Sequence, residues 1–148
     1  MTFDELKAKY HYLSSEKESD WHHHAKGGGW VKNTAWVGGD AWVGGDARVE
    51  GNARVGGDAS VEGDARVGGN ASVGGDAWTT SPLFIRGSKW SCGMKSKTLF
   101  YIGCETHTLA EWKKQYQAIA KKHGACDLAK EYKLYIDLAA KLYPVKKP

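Results

Sequence analysis

Val37-Gly38-Gly39-Asp40-Ala41-Trp42 is one of eight consecutive six-residue units running from Val31 to Trp78 without an insertion. Valine opens each unit, at Val31, Val37, Val43, Val49, Val55, Val61, Val67 and Val73. Alanine follows four residues later, at Ala35, Ala41, Ala47, Ala53, Ala59, Ala65, Ala71 and Ala77, and in seven units a Gly-Asp or Gly-Asn pair precedes it. A period of six fits neither a helix at 3.6 nor one long strand at 2. It suits a parallel β-helix in which three units make one coil. Valine and alanine then point inward as a large and a small plug, and the Gly-Asp corner supplies the positive φ that a tight turn needs. The residue between alanine and the next valine points outward. At 18 residues per coil the repeat makes about 2.7 coils and stands only ~13 Å tall, so covered ends and self-association are both expected.

Units such as Val37 to Trp42 resemble the hexapeptide-repeat superfamily, and the resemblance implies a left-handed coil. Periodicity does not carry that handedness, since ordinary crossovers are right-handed. Spacing by 18 places outward residues in columns: Trp30, Arg48 and Arg66; Trp36, Arg54 and Ser72; Trp42, Ser60 and Trp78. Tryptophan above arginine on a flat face can be an internal cation-π stack, a platform for a planar anion, or a subunit interface. Exposed tryptophan favours the interface, formed by Trp36, Trp42, Trp78, Arg48, Arg54 and Arg66 in a homotrimer.

Residues 1–30 lead into the repeat. Thr2 and Glu5 have capping-box spacing, and Phe3, Leu6, Tyr10 and Leu13 share one side of a helix expected over residues 2–13. A polar linker, Trp21-His22-His23-His24 and Gly27-Gly28-Gly29 follow. Consecutive histidines in extended chain point alternately and make no three-ligand metal site. With 148 residues, 41% hydrophobic and 26% charged, the chain has an ordinary globular composition. No signal peptide or membrane-spanning run is visible, and three cysteines without a CxxC pair fit a reducing compartment, so a cytoplasmic location is expected.

After Trp78 the composition changes. Residues 79–148 hold 13 basic and 5 acidic residues, +8, against 4 and 7, −3, in residues 31–78. This third segment reads as a small α+β module. Its strands are expected at 83–86, 89–94 and 98–102, with a turn at Lys95-Ser96-Lys97. A helix starts at the Thr108–Glu111 capping box and stops at Gly124. A second, N-capped by Asp127, turns Leu128, Tyr132, Tyr135, Ile136, Ala139 and Leu142 inward and ends at Pro144. The whole reads as mainly β.

Gly103-Cys104-Glu105-Thr106-His107-Thr108-Leu109-Ala110-Glu111-Trp112, after a repeat introduced by Gly27-Gly28-Gly29-Trp30-Val31, resembles hexapeptide-repeat proteins encoded by phages and prophages. That resemblance implies an accessory protein that works in a bacterial cytoplasm and counters host defence, by sequestering a nucleotide-like signal or by binding a defence protein. A site for such an anion is expected where the helix begins. His107, Thr108 and the first amides offer donors, Arg86, Lys89 and Lys97 supply charge, and Trp90 or Trp112 can stack on a base.

Catalysis is the weaker expectation, with no cofactor and no metal. Cys92, Cys104, His107 and His123 have poor zinc spacing, and Cys104 with His107 shows no fixed acidic orienter or oxyanion motif. Hexapeptide-repeat acyltransferases use a histidine on the coils or their loops, and these repeats contain none. Nucleic acid is a further alternative, permitted by the +8 charge but without a recognised binding motif.

Overall fold

In a computed structural model, residues 1–144 are described, and the chain divides into two compact units, Met1–Pro82 and Leu83–Pro148. It is mixed α and β. Among the described residues no helix is long and apolar enough to cross a membrane.

The first unit contains the repeat. Its strands are β2 (Trp30–Lys32), β3 (Trp36–Val37), β4 (Trp42–Val43), β5 (Arg48–Val49), β6 (Arg54–Val55), β7 (Ser60–Val61), β8 (Arg66–Val67), β9 (Ser72–Val73) and β10 (Ala77–Trp78). They form three parallel ladders that the chain visits in rotation: β2-β5-β8, β3-β6-β9 and β4-β7-β10. Trp30 pairs with Arg48 and Arg48 with Arg66, while Trp36 pairs with Arg54 and Arg54 with Ser72, so the 18-residue register is the one the sequence implies. Every repeat valine except Val37 is buried, as are Ala41 to Ala71. Val37 and Ala35, at the first coil, are half-buried.

The corners explain the glycines. Gly39, Gly45, Gly51, Gly57, Gly63 and Gly69 all have φ between 59° and 64°. At Gly51 a side chain would also meet the backbone oxygen of Gly69 at 2.9 Å, because successive corners stack on one another. The last unit departs from the pattern. It turns at Asp76 (φ 65°), and Ala77 pairs with Ser60 and Trp78 with Val61. A one-residue slip reverses every side chain. Trp78 is therefore buried and Ala77 exposed, against the expected outward Trp42-Ser60-Trp78 column. Trp78 can turn inward because no further coil follows it there; its indole N–H donates to the Gly75 carbonyl at 2.9 Å.

The residues before the repeat fold onto it. β1 (Trp21–His23) pairs antiparallel with β2, Trp21 opposite Lys32. Phe3 and Leu6 of helix α1 (Phe3–Lys9) cluster with Leu13, Trp21 and Trp30. The Thr2–Glu5 capping box is formed, but the helix stops at Lys9, short of the expected Leu13, and His11–Leu13 makes a 3-10 turn. Tertiary contacts account for the break. Tyr10 leaves the helix (φ −126°, ψ 86°) to put its ring 3.4 Å from the Arg48 guanidinium and its hydroxyl 3.0 Å from Asp64.

The second unit is an antiparallel meander, β11 (Phe84–Arg86), β12 (Ser91–Met94), β13 (Leu99–Ile102) and β14 (Glu105–Thr108), followed by α2 (Leu109–Lys122) and α3 (Ala129–Leu142). The turn expected at 95–97 joins β12 to β13, with the Lys95 amide donating to the Leu99 carbonyl at 2.8 Å. β14 carries no strand signal in the sequence, because Glu105-Thr106-His107-Thr108 has no apolar alternation, yet it pairs antiparallel with β13. Asp127 is not an N-cap: Cys126–Leu128 forms a 3-10 turn, and α3 begins without a side-chain cap. Tyr132, Ile136 and Ala139 are buried and Tyr135 and Leu128 half-buried, while Leu142 faces outward rather than inward. Trp112 is fully buried, its indole N–H donating to the Phe100 carbonyl at 2.7 Å.

Candidate functional site

The start of α2, where the anion is expected, is capped by the protein's own Glu111. The Thr108 amide donates to Glu111 at 2.9 Å and the Thr108 hydroxyl accepts from the Glu111 amide at 3.2 Å. These bonds hold the Glu111 carboxyl below its usual range. His107 Nε2 lies 2.9 Å from Glu105, and its ring meets Trp112 edge-on at 5.2 Å. The other Glu105 oxygen accepts from Lys122 Nζ at 2.8 Å and lies 2.9 Å from His123 Nε2. Lys122, then His123 and His107, bring the Glu105 carboxyl down to about 2. A preformed helix terminus attracts an anion only while its donors are unused. Here they are used.

Of the other residues expected there, Lys97 lies at the end of the sheet where α2 begins, and Arg86 does not. Arg86 is opposite Ser91 at one end of the sheet, while Lys97 lies in the turn at the other end, near the Leu99–Thr108 pair. Lys89 stands 5.3 Å from the Trp90 ring. Trp90 borders a small cavity of about 20 Å³ with Ile102, Cys104, Glu105, His123 and Tyr132, room for about one water. Trp112 is buried in the core and offers no face for stacking.

The cysteines divide by environment. Cys92 is buried, and desolvation pushes its thiol up to about 12; Cys104 and Cys126 are exposed. Among the described residues no three His, Cys, Asp or Glu side chains are grouped to hold a metal. An acidic partner for His107 does exist in Glu105, two residues away on the same strand face. The Glu-x-His spacing was the available signal, readable only once 105–108 is known to be extended.

On the first unit the three columns have different fates. Trp30 is buried beneath Phe3, with ring centroids 5.3 Å apart. Arg48 is buried too, stacked on Tyr10, its Nε donating to the Tyr12 hydroxyl at 3.0 Å. Arg66 is bound to Glu50 and lies 4.5 Å from the Tyr12 ring. Lys9 clamps this cover down by reaching Asp46 at 2.6 Å and Asp64 at 2.7 Å, equivalent corners of successive coils. The first column is thus an internal stack, so Arg48 has no free face for another subunit. Trp78 is withdrawn by the register slip.

Trp36, Arg54 and Trp42 remain outward. Trp36 is 57% exposed and Trp42 46%. Arg54, directly beside Trp36 in the ladder, is also exposed. The Trp36 ring lies across Gly38 and Gly56: a side chain at Gly56 would approach it to 3.1 Å, and one at Gly38 closer still. Glycine on two coils thus forms a flat floor under the indole and leaves its other face open. No protein-family model matches the chain, and comparison with curated proteins and with solved structures finds none significantly similar to it.

Proposed function

We propose that this protein is a non-catalytic binding protein built on a short left-handed parallel β-helix, and that copies associate through the Trp36 and Trp42 faces and hold a small anionic, nucleotide-like ligand between them. The observation that carries the reading is the open Trp36 ring over Gly38 and Gly56 with Arg54 beside it. A planar base stacks on the indole, and a phosphate meets the guanidinium about one strand spacing, ~4.8 Å, away. Two tryptophans on two ladders of so short a stack favour a closed ring, most simply a trimer, which multiplies the site. Sequestering a host immune signal in a bacterial cytoplasm is the role that this chemistry and the resemblance to phage proteins together suggest.

Native mass spectrometry of the protein purified from bacterial cytosol tests this. A trimer carrying a nucleotide-like passenger released on unfolding, and lost in Arg54→Ala, supports it. A monomer overturns the interface. A trimer that neither carries a passenger nor binds any of a panel of linear and cyclic mono- and dinucleotides overturns the ligand, and host-protein capture becomes the function to pursue. Turnover of acyl-coenzyme A would establish a transferase instead, and a salt-dependent shift of random DNA a nucleic-acid binder.

A further inference from the structure

Trp36 points along its strand. A side chain at Gly38 would meet its Cζ2 and Cη2 atoms, and one at Gly56 its Cζ3 atom. The six-membered ring therefore reaches from the Trp36 backbone towards the corner that follows, where Gly39 stacks on Gly57 and carries Asp40 and Asp58 with it. Arg54 stands at the near end of this platform, opposite Trp36 in the ladder. The two carboxylates stand at the far end. Lys26 already holds Asp40 at 2.8 Å, whereas Asp58, two residues beyond Gly56, is exposed and makes no hydrogen bond or ion pair among the described residues. The platform is thus polarised, with a cation at one end and hydrogen-bond acceptors at the other. Trp42 also lies across two glycines, Gly27 and Gly44, but its ladder neighbour is Ser60, so that face has no such cation.

Building on the stacked-nucleotide reading above, on which this rests, we propose that the base held at Trp36 is guanine and that Asp58 selects it. The phosphate is drawn to Arg54 and repelled by Asp40 and Asp58, which fixes the direction of the ligand on the platform. The edge of the base remote from the ribose then faces the corner. An ionised carboxylate can only accept hydrogen bonds. Guanine presents two adjacent donors on that edge, the N1–H and the 2-amino group, and both carboxylate oxygens can be used at once. Adenine and cytosine place a ring-nitrogen acceptor beside their amino donor, and uracil flanks its one N–H with two carbonyls. Each of these turns an acceptor against the carboxylate. A neighbouring copy closing over the ligand removes the water that competes for these bonds and so sharpens the choice.

Isothermal titration calorimetry of the full-length protein with the 5′-monophosphates of guanosine, inosine, adenosine and uridine tests this, and the cyclic dinucleotides of guanine and of adenine repeat the comparison for a ligand with two bases. The guanine compound is expected to bind at least about tenfold tighter than inosine monophosphate, which lacks the 2-amino group, and than the other two. Asn52 and Asn70 hold the corner position of Asp58 in other units, so Asp58→Asn should fold normally. It should bring guanosine monophosphate down to the affinity of inosine monophosphate, whereas Arg54→Ala should weaken all four alike. Equal binding of the four that Trp36→Ala abolishes, or a guanine preference that survives Asp58→Asn, overturns this inference and leaves the stacked-anion reading standing. No binding of any probe, or binding that Trp36→Ala leaves unchanged, overturns both.

Discussion

Glu105→Gln removes the charge on which His107, His123 and Lys122 converge while preserving the shape of the side chain. Holding a carboxyl at about 2 rather than its ordinary 4.5 corresponds to at most ~3.5 kcal/mol at ~1.4 kcal/mol per pH unit. Lys122, the first contributor, is exposed and screened by water, which reduces the expectation to about 1–2 kcal/mol. The sign follows from the direction of the shift. Because folding depresses this carboxyl, its stabilisation is complete above about pH 4.5 and is lost as the pH falls towards about 2. Urea unfolding followed at 222 nm reports the second unit, where α2 and α3 supply most of the helix. The wild type should exceed Glu105→Gln by about 1–2 kcal/mol at pH 7, and the two should converge by about pH 2. An equal gap at pH 7 and at pH 2 would refute the reasoning, because it would assign the effect to packing rather than to charge.

The remaining predictions concern the cores and the corners. Trp78→Ala removes the buried plug at the end of its ladder and should cost ~3–5 kcal/mol in thermal or urea unfolding of the first unit; a loss below ~1 kcal/mol would mean that Trp78 points outward after all. Trp112→Phe leaves the Phe100 carbonyl without its 2.7 Å donor and should cost ~1–3 kcal/mol; full stability would show that this bond is not formed in solution. Gly51→Ala places a side chain at φ 64° against the Gly69 carbonyl and should cost more than the ~1–2 kcal/mol of the backbone conformation alone. The comparison is with Gly28→Ala, which also sits at positive φ but in open space.

The repeat was legible because its physics is local and recurs. Valine every six residues, alanine four later and glycine before the acid each answer the same demand at every coil, so the ladders and the Trp36–Arg54 register follow from counting. Both capping boxes were equally legible, since Thr2 with Glu5 and Thr108 with Glu111 need only three residues of separation. The site was less so. Counting by 18 names Arg48 and Arg54 alike, but only one of them is covered by Tyr10 and Tyr12, and nothing in residues 48 or 54 distinguishes them.

What the sequence determined by itself, then, is the period, the identity of the inward residues in all but the last unit, and the two places where a capping box starts a helix. The tertiary structure decided which of the outward residues stay outward. Burial of Arg48, inversion of Trp78 and the convergence of Lys122 and His123 on Glu105 each depend on segments distant from the residue concerned, or on where the stack happens to end. Local pattern specifies a side chain's direction relative to its own strand or helix; whether that direction leads to solvent, to a neighbour or to a partner is set by what folds over it.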